Sequence, residues 1–214
     1  MSSNPHNFIA IEGPIGVGKT TLARKLAEVM NSDLILEEAE ENPFLERFYQ
    51  DPKSGALPTQ LYFLFQRVRQ LQEVRQSDMF NPVRVADYLI EKDRLFARST
   101  LDSDELRLYE QVYQNLTIDA PRPDLVIYLQ ASVPVLMDRI KKRGRSIESN
   151  INKEYLENIC EAYTDFFFYY DQSPLLIVNA SGIDLVENEA DFNMLLDQIG
   201  KTTTGKNYFN PHPA

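Results

Sequence analysis

The octapeptide Gly13-Pro14-Ile15-Gly16-Val17-Gly18-Lys19-Thr20 fits the phosphate-binding pattern GxxxxGK[ST], with Gly13, Gly18, Lys19 and Thr20 at its four fixed positions. Its flanks carry as much information as the match itself. Residues 8–12, Phe-Ile-Ala-Ile-Glu, form a short apolar run that ends where the glycines begin, and residues 21–30 place Leu22, Leu26, Val29 and Met30 at helical spacing. Strand, glycine loop and helix therefore follow in the order a polyphosphate cradle requires. Glycines allow the backbone to turn its N–H groups inward and approach the ligand, and the helix adds the partial positive charge of its N-terminus. In this arrangement residues 13–18 and Thr21 surround the phosphates of a nucleoside triphosphate such as ATP. Lys19 reaches the β- and γ-phosphates, and the Thr20 hydroxyl holds Mg²⁺. A glycine-rich turn in a Rossmann-like domain is the competing reading; the lysine and threonine weigh against it.

Composition sets the outer bounds. A chain of 214 residues makes one domain and buries roughly 70% of its unfolded surface without covalent staples. We assign the domain to residues 1–200 and expect the polar, turn-rich tail 201–214 to be mobile. The single Cys160 excludes an intramolecular disulfide, and the N-terminal residues show no basic-then-apolar leader. No apolar run reaches the ~18 residues of a membrane span, so a cytoplasmic protein without a membrane anchor is expected. A net charge of −10 opposes binding to a nucleic-acid backbone. Basic residues are nonetheless concentrated at Arg139, Lys141, Lys142, Arg143 and Arg145, which suits a small anion.

Along the chain, further strands are expected at 34–36, 83–86, 125–129 and 175–178, five in all with the first. Helices are expected from Asn42-Pro43, over 59–76, over 102–118 behind the capping box Asp102-Ser-Asp-Glu105, from Ser132 to the stop at Gly144, over 152–170 and over 190–199. Residues 52–58, with two prolines and Gly55, read as a loop. Strands alternating with helices give a parallel sheet covered on both faces. Asp87 ends the third strand, where an enzyme with this phosphate cradle places its second Mg²⁺ contact. Glu37 follows the second strand, at the sheet end where α/β proteins bind ligands, while Glu38 is out of phase and is expected to point away. The histidines, His6 and His212, have no acids or cysteines at ligand spacing.

Together these motifs resemble the deoxynucleoside kinases over nearly the whole chain, closest to the bacterial purine subgroup. The resemblance rests on Glu37-Glu-x-x-x-Asn-Pro-Phe-Leu45, Phe48-Tyr49, Ala86-Asp-Tyr88 and Asp184-Leu-Val-x-Asn188. It implies a P-loop nucleoside-kinase fold with a five-stranded parallel sheet and an arginine-rich lid. The implied reaction moves the γ-phosphoryl of ATP to the 5′-OH of a deoxyribonucleoside. Carried over by position, Glu37 accepts the 5′-OH proton, and Tyr49 and Glu148 bind the sugar 3′-OH. Gln60 reads the base edge, with Arg67 and its partner Asp93 on the same side. Arg139, Arg143 and Arg145 form the lid that closes on the triphosphate, and Ala180 and Asp184 flank the donor base. A homodimer through the helices over 59–76 and 102–118 is implied too.

One position departs from the pattern. Most of the family has acid-Arg-Ser after the third strand, and here Tyr88 stands where the arginine would be. Its charge must come from elsewhere, with Arg94 or a lid arginine as candidates. Two other readings stay open: a nucleoside monophosphate kinase of the thymidylate type, for which Arg67 and Arg69 would bind the acceptor phosphate, and a non-catalytic regulatory subunit of a hetero-oligomeric kinase.

Overall fold

Apolar runs bounded by turns become the strands of one wholly parallel sheet. A computed structural model describes residues 5–76, 83–117, 120–148, 150–182 and 188–211. Its strands β1 (Phe8–Glu12), β2 (Asp33–Ile35), β3 (Arg84–Ala86), β4 (Leu125–Gln130), β5 (Leu175–Asn179) and β6 (Lys206–Phe209) stand in the order β2-β3-β1-β4-β5-β6. Every pairing is parallel. The helices are α1 (Lys19–Met30), α2 (Leu45–Gln50), α3 (Pro52–Gln76), α4 (Lys92–Thr100), α5 (Ser103–Leu116), α6 (Val133–Arg143), α7 (Lys153–Tyr169) and α8 (Glu189–Lys201).

The central strands are buried on both faces, and their period of two sorts side chains into two layers. Ile9, Ile11, Leu125, Ile127, Leu129, Leu176 and Val178 pack with Leu22 and Leu26 of α1, Leu136 and Ile140 of α6, and Leu195 of α8. The alternate residues Ala10, Val126, Tyr128, Leu175 and Ile177 pack with Tyr163 and Phe167 of α7 and Leu95 of α4. Helices thus cover both faces, and residues that follow β1, β2 and β3 line one cavity.

Several boundaries differ from the sequence reading. The sheet has a sixth strand inside the segment expected to be a mobile tail: residues 206–209 pair with β5 and seat Phe209 in the main core. Lys206 and Tyr208 stay exposed, so the pattern is that of a one-sided edge strand, which its polar composition hides. The expected loop 52–58 is instead the start of α3. Pro52 occupies the first helical position, where no N–H bond is lost, and Ala56 packs against Leu45 and Phe48, so burial carries the helix through Pro58. Asn42 does not open a helix but caps the turn before α2, its Oδ1 accepting from the Phe44 N–H at 3.0 Å. The short helix α4 had no counterpart in the sequence reading. The capping box at Asp102 and Glu105 and the left-handed stop at Gly144 (φ 66°) are formed as expected.

Candidate active site

Between β1 and α1 the glycine loop lies against β4 and α6. Gly13 has φ 146°, and a Cβ there would come within 2.4 Å of the Leu129 carbonyl oxygen. At Gly16 (φ 85°) a Cβ would meet Ile140 Cγ1 at 2.8 Å and the Leu136 oxygen at 3.0 Å. Both positions therefore require glycine. Helix α1 opens at Gly18 with no side-chain cap and no acid in its first turn, so its N-terminal N–H groups remain available to an anion. Lys19 folds over the loop, donating to the carbonyls of Gly13 at 2.7 Å and Pro14 at 3.2 Å. Burial, with repulsion from Lys92, lowers its pKa to about 8.

Beneath this loop sits Glu12, 1% exposed, which the sequence reading passed over. Its carboxylate accepts from the N–H groups of Gly13 (2.8 Å) and Leu89 (2.9 Å) and from the Tyr163 hydroxyl (2.8 Å), joining the cradle to the β3–α4 turn and to α7. A strand-end acid was the available signal, the same that singled out Asp87. The Thr20 hydroxyl donates to Asp87 Oδ2 at 2.5 Å, while Asp87 Oδ1 accepts from the Glu37 N–H at 2.7 Å. A hydroxyl and a carboxylate converging beside the phosphate cradle are the hard oxygen donors that Mg²⁺ prefers. Burial raises the Asp87 pKa, with the Glu37 charge adding to it and the Thr20 bond opposing.

In front of the cradle lies a cavity of about 470 Å³. Ile15, Gly16, Lys19 and Thr20 form one part of its wall, Glu37, Asp87 and Lys92 another, and Tyr49, Gln60, Phe63, Arg67 and Glu148 a third. Glu37 accepts from Arg67 and from Lys92, whose Nζ is 3.0 Å from Oε2 and 3.3 Å from Oε1. Burial alone would raise the Glu37 carboxyl; Lys92, Arg67 and Lys19 outweigh it and hold the group well below the usual carboxylate range. Both terminal nitrogens of Arg67 are engaged. It donates to Asp93 and to Glu37, and its guanidinium lies over the rings of Phe63 at 5.1 Å and Tyr88 at 5.4 Å.

Most of the sequence-derived site residues meet at this cavity. Tyr49 and Glu148 share its wall, and burial, with Tyr155 and the Glu148 charge, pushes the Tyr49 phenol well up. Gln60 is buried, its amide nitrogen 3.4 Å from Thr100 Oγ1. Arg143 grips Glu148 in a fork, from Nε at 3.1 Å and NH2 at 2.6 Å, and Arg145 pairs with Glu40 at 3.4 Å. Asp93 is fully buried behind the wall, where it backs Arg67. Arg139 is not on the wall; it donates to the carbonyls of Val17 at 3.2 Å and Ala180 at 2.8 Å, lacing the cradle to the end of β5. Thr21 is exposed on α1 and does not line the cavity, and Asp184 lies outside the described residues.

Three further positions differ from expectation. Tyr88 does not face the cavity: it is 1% exposed, its ring lies behind Arg67 and its hydroxyl donates to Gln70 at 2.8 Å. Arg94, a candidate for the missing charge, does not line the cavity and pairs with Glu110 at 3.0 Å. Glu38 does line the cavity, with the Gln66 amide 3.4 Å from its carboxylate. Lys92 is the cation the sequence reading missed. It opens a helix too short to show a clear period, and nothing in the local pattern marks it.

Comparison with known proteins agrees with this geometry. The family model described as deoxynucleoside kinase matches residues 9–204. Deoxyguanosine kinase of Bacillus subtilis (strain 168) is 39% identical over 204 residues, covering 92% of this chain and 97% of that protein. Deoxyadenosine kinase of Dictyostelium discoideum is 38% identical over 210 residues, covering 92% and 84% of the two chains. A solved structure of deoxyadenosine kinase from M. mycoides with bound dATP superposes with a TM-score of 0.79 at 28% identity, over 91% of this chain and 99% of that one. The cradle, the acidic residue after β2 and the match over nearly the full length lead to one conclusion: this chain belongs to the deoxynucleoside kinase family.

Proposed function

We propose that the protein transfers the γ-phosphoryl of ATP to the 5′-OH of a purine deoxyribonucleoside. One observation carries the choice of acceptor: Glu37 and Glu148 both line the cavity beside Tyr49, and Arg67 is already held by Glu37 and Asp93. An acceptor end with two carboxylates and no unengaged arginine at Arg67 suits a hydroxyl and repels a phosphate, which argues against a monophosphate kinase. The purine preference is supported by the deoxyguanosine and deoxyadenosine kinases among the relatives and by Gln60, whose amide can present a donor and an acceptor to a base edge.

In this reading the loop 13–18 and the start of α1 hold the triphosphate, with Lys19 turning from its carbonyl partners to the β- and γ-phosphates. Thr20 and Asp87 would hold Mg²⁺, which when bound neutralises phosphate charge. Glu37 orients the 5′-OH and takes its proton, and Tyr49 and Glu148 hold the sugar. Arg143 and Arg145 exchange their carboxylate partners for phosphoryl oxygens as the lid closes, forks being suited to that geometry, while Arg139 keeps cradle and β5 in register. Ala180 and Asp184 flank the donor base. Tyr88 acts from behind Arg67 rather than on the substrate.

A cytoplasmic homodimer completes the reading. No helix among the described residues is long and apolar enough to cross a membrane. Phe65 of α3 and Leu108 of α5 are 54% and 50% exposed, giving the dimer an apolar face. The test is direct: incubate the purified chain with Mg²⁺, ATP and each deoxynucleoside or deoxynucleoside monophosphate, and resolve products by anion-exchange chromatography. Deoxyguanosine and deoxyadenosine are expected to be converted fastest. Turnover of monophosphates alone refutes the acceptor assignment, and no turnover at all favours the regulatory-subunit reading.

A further inference from the structure

The family arginine missing at Tyr88 raises the question of which cation meets the transferred phosphoryl from the acceptor side. Of the basic residues that follow β3, Arg94 and Arg98 both pair with Glu110, at 3.0 and 3.3 Å, and do not line the cavity. Lys92 does. It is 7% exposed, lies 5.5 Å from the Phe96 ring centre, and among the described residues has Glu37 as its hydrogen-bond partner. Its position is locally unfavourable, since it is the first residue of α4 and the positive end of a helix dipole repels a cation. A buried lysine placed against both burial and dipole, facing the reacting carboxylate, breaks a local rule where function is concentrated.

We propose that Lys92 is the acceptor-side catalytic cation of this enzyme: it holds Glu37 in the free protein and passes its ammonium to the phosphoryl group during transfer. The inference rests on the deoxynucleoside kinase reading above. In the step, the 5′-oxygen forms its bond to the γ-phosphorus as its proton goes to a Glu37 carboxylate oxygen. The bond from that phosphorus to the β–γ bridging oxygen breaks, its electron pair leaving on ADP, and Lys92 keeps its proton throughout. Charge balance supplies the reason for the handover. When Glu37 takes the proton it ceases to be an anion, so the buried ammonium loses its partner and the incoming phosphoryl oxygens replace it. Arg67 cannot make this exchange, because Asp93 and two aromatic rings fix it in place. Among the described residues Lys92 has Glu37 as its one carboxylate partner.

The test compares wild type with Lys92→Met, Lys92→Arg and Lys92→Ala. Steady-state kinetics are run with Mg²⁺, ATP and the deoxynucleoside the wild type converts fastest, alongside thermal melts and calorimetric binding of that nucleoside. Lys92→Met is expected to lose about 10²–10³-fold in kcat, the range for removing one preorganised donor to developing charge, with nucleoside Kd and ATP KM changed less than about fivefold. Lys92→Arg is expected to stay within about tenfold of wild type, and ethylammonium chloride to restore part of the Lys92→Ala activity. Should Lys92→Met not fold, the Arg variant and the rescued Ala variant decide the matter. A Lys92→Met kcat within threefold of wild type overturns the inference. So does a folded Lys92→Arg as inactive as the Met variant, a loss confined to nucleoside binding, or an Ala variant that ethylammonium does not revive. Failure of the wild type itself to phosphorylate any deoxynucleoside refutes the functional reading instead, and is recognised before any variant is made.

Discussion

Glu37 shows how a side chain's surroundings outrank its own chemistry. The backbone N–H of Glu37 is fixed by Asp87, and its carboxylate by Arg67 and Lys92, so the group is oriented before any substrate arrives. Glu37→Gln is expected to lower kcat by roughly 10²–10⁴-fold with nucleoside binding retained, as read by single-turnover kinetics; an active variant refutes the base assignment. A stability effect accompanies it. The folded pKa lies below the ordinary value of 4.5, so the charged carboxylate contributes stability above that pH and loses it as pH falls below. Wild type should therefore melt above Glu37→Gln near neutrality, and the gap between the two melting temperatures should narrow steadily as pH is lowered below 4.5. From sequence, Glu37 was found by its place after β2, but its two cations were not. They lie 30 and 55 residues away, and no local pattern records such a pairing.

At the level of elements, the acceptor wall depends on how closely α2 can lie against α3. Gly55 is the contact: a Cβ there would stand 2.8 Å from the Phe48 amide nitrogen, a backbone atom that no side-chain rotation can clear. Gly55→Ala must separate the two helices, at a cost of roughly 1–3 kcal/mol. Because Phe48 and Tyr49 of α2 line the cavity, the nucleoside KM should rise severalfold while the ATP KM holds; equal changes in both would refute a local effect. The stretch 52–58 read as a loop because proline and glycine punctuate most sequences. What reverses that reading is packing, with Ala56 buried against Leu45 and Phe48. The opposite case is α5, whose capping box is a local device and was legible at once. Helix α4 escaped notice because its nine residues give too little period for a signal.

For the molecule as a whole, β6 forms one edge of the sheet and covers β5, and Phe209 is its anchor in the main core. Phe209→Ala should destabilise the protein by roughly 3 kcal/mol in denaturant titration, and removal of residues 205–214 by more, with β5 left as an open edge; an unchanged midpoint would mean that β6 contributes nothing. The proposed dimer face gives a second test at this scale. Leu108→Glu should shift light scattering from two chains to one if α5 is the interface, and a wild type that scatters as a single chain refutes it. The sequence by itself determined the cradle, since strand, glycines, lysine and threonine are consecutive and positive φ at Gly13 and Gly16 is a local property. It also determined the central strands, whose unbroken apolar runs can only be buried on two faces. Tertiary structure alone decided that Tyr88 turns inward to Gln70 and Arg67, that β6 joins the sheet, and that Lys92 meets Glu37. Each of those depends on where distant segments are packed, and the free energy of a buried charge or an edge strand is set by its partners rather than by its neighbours in the chain.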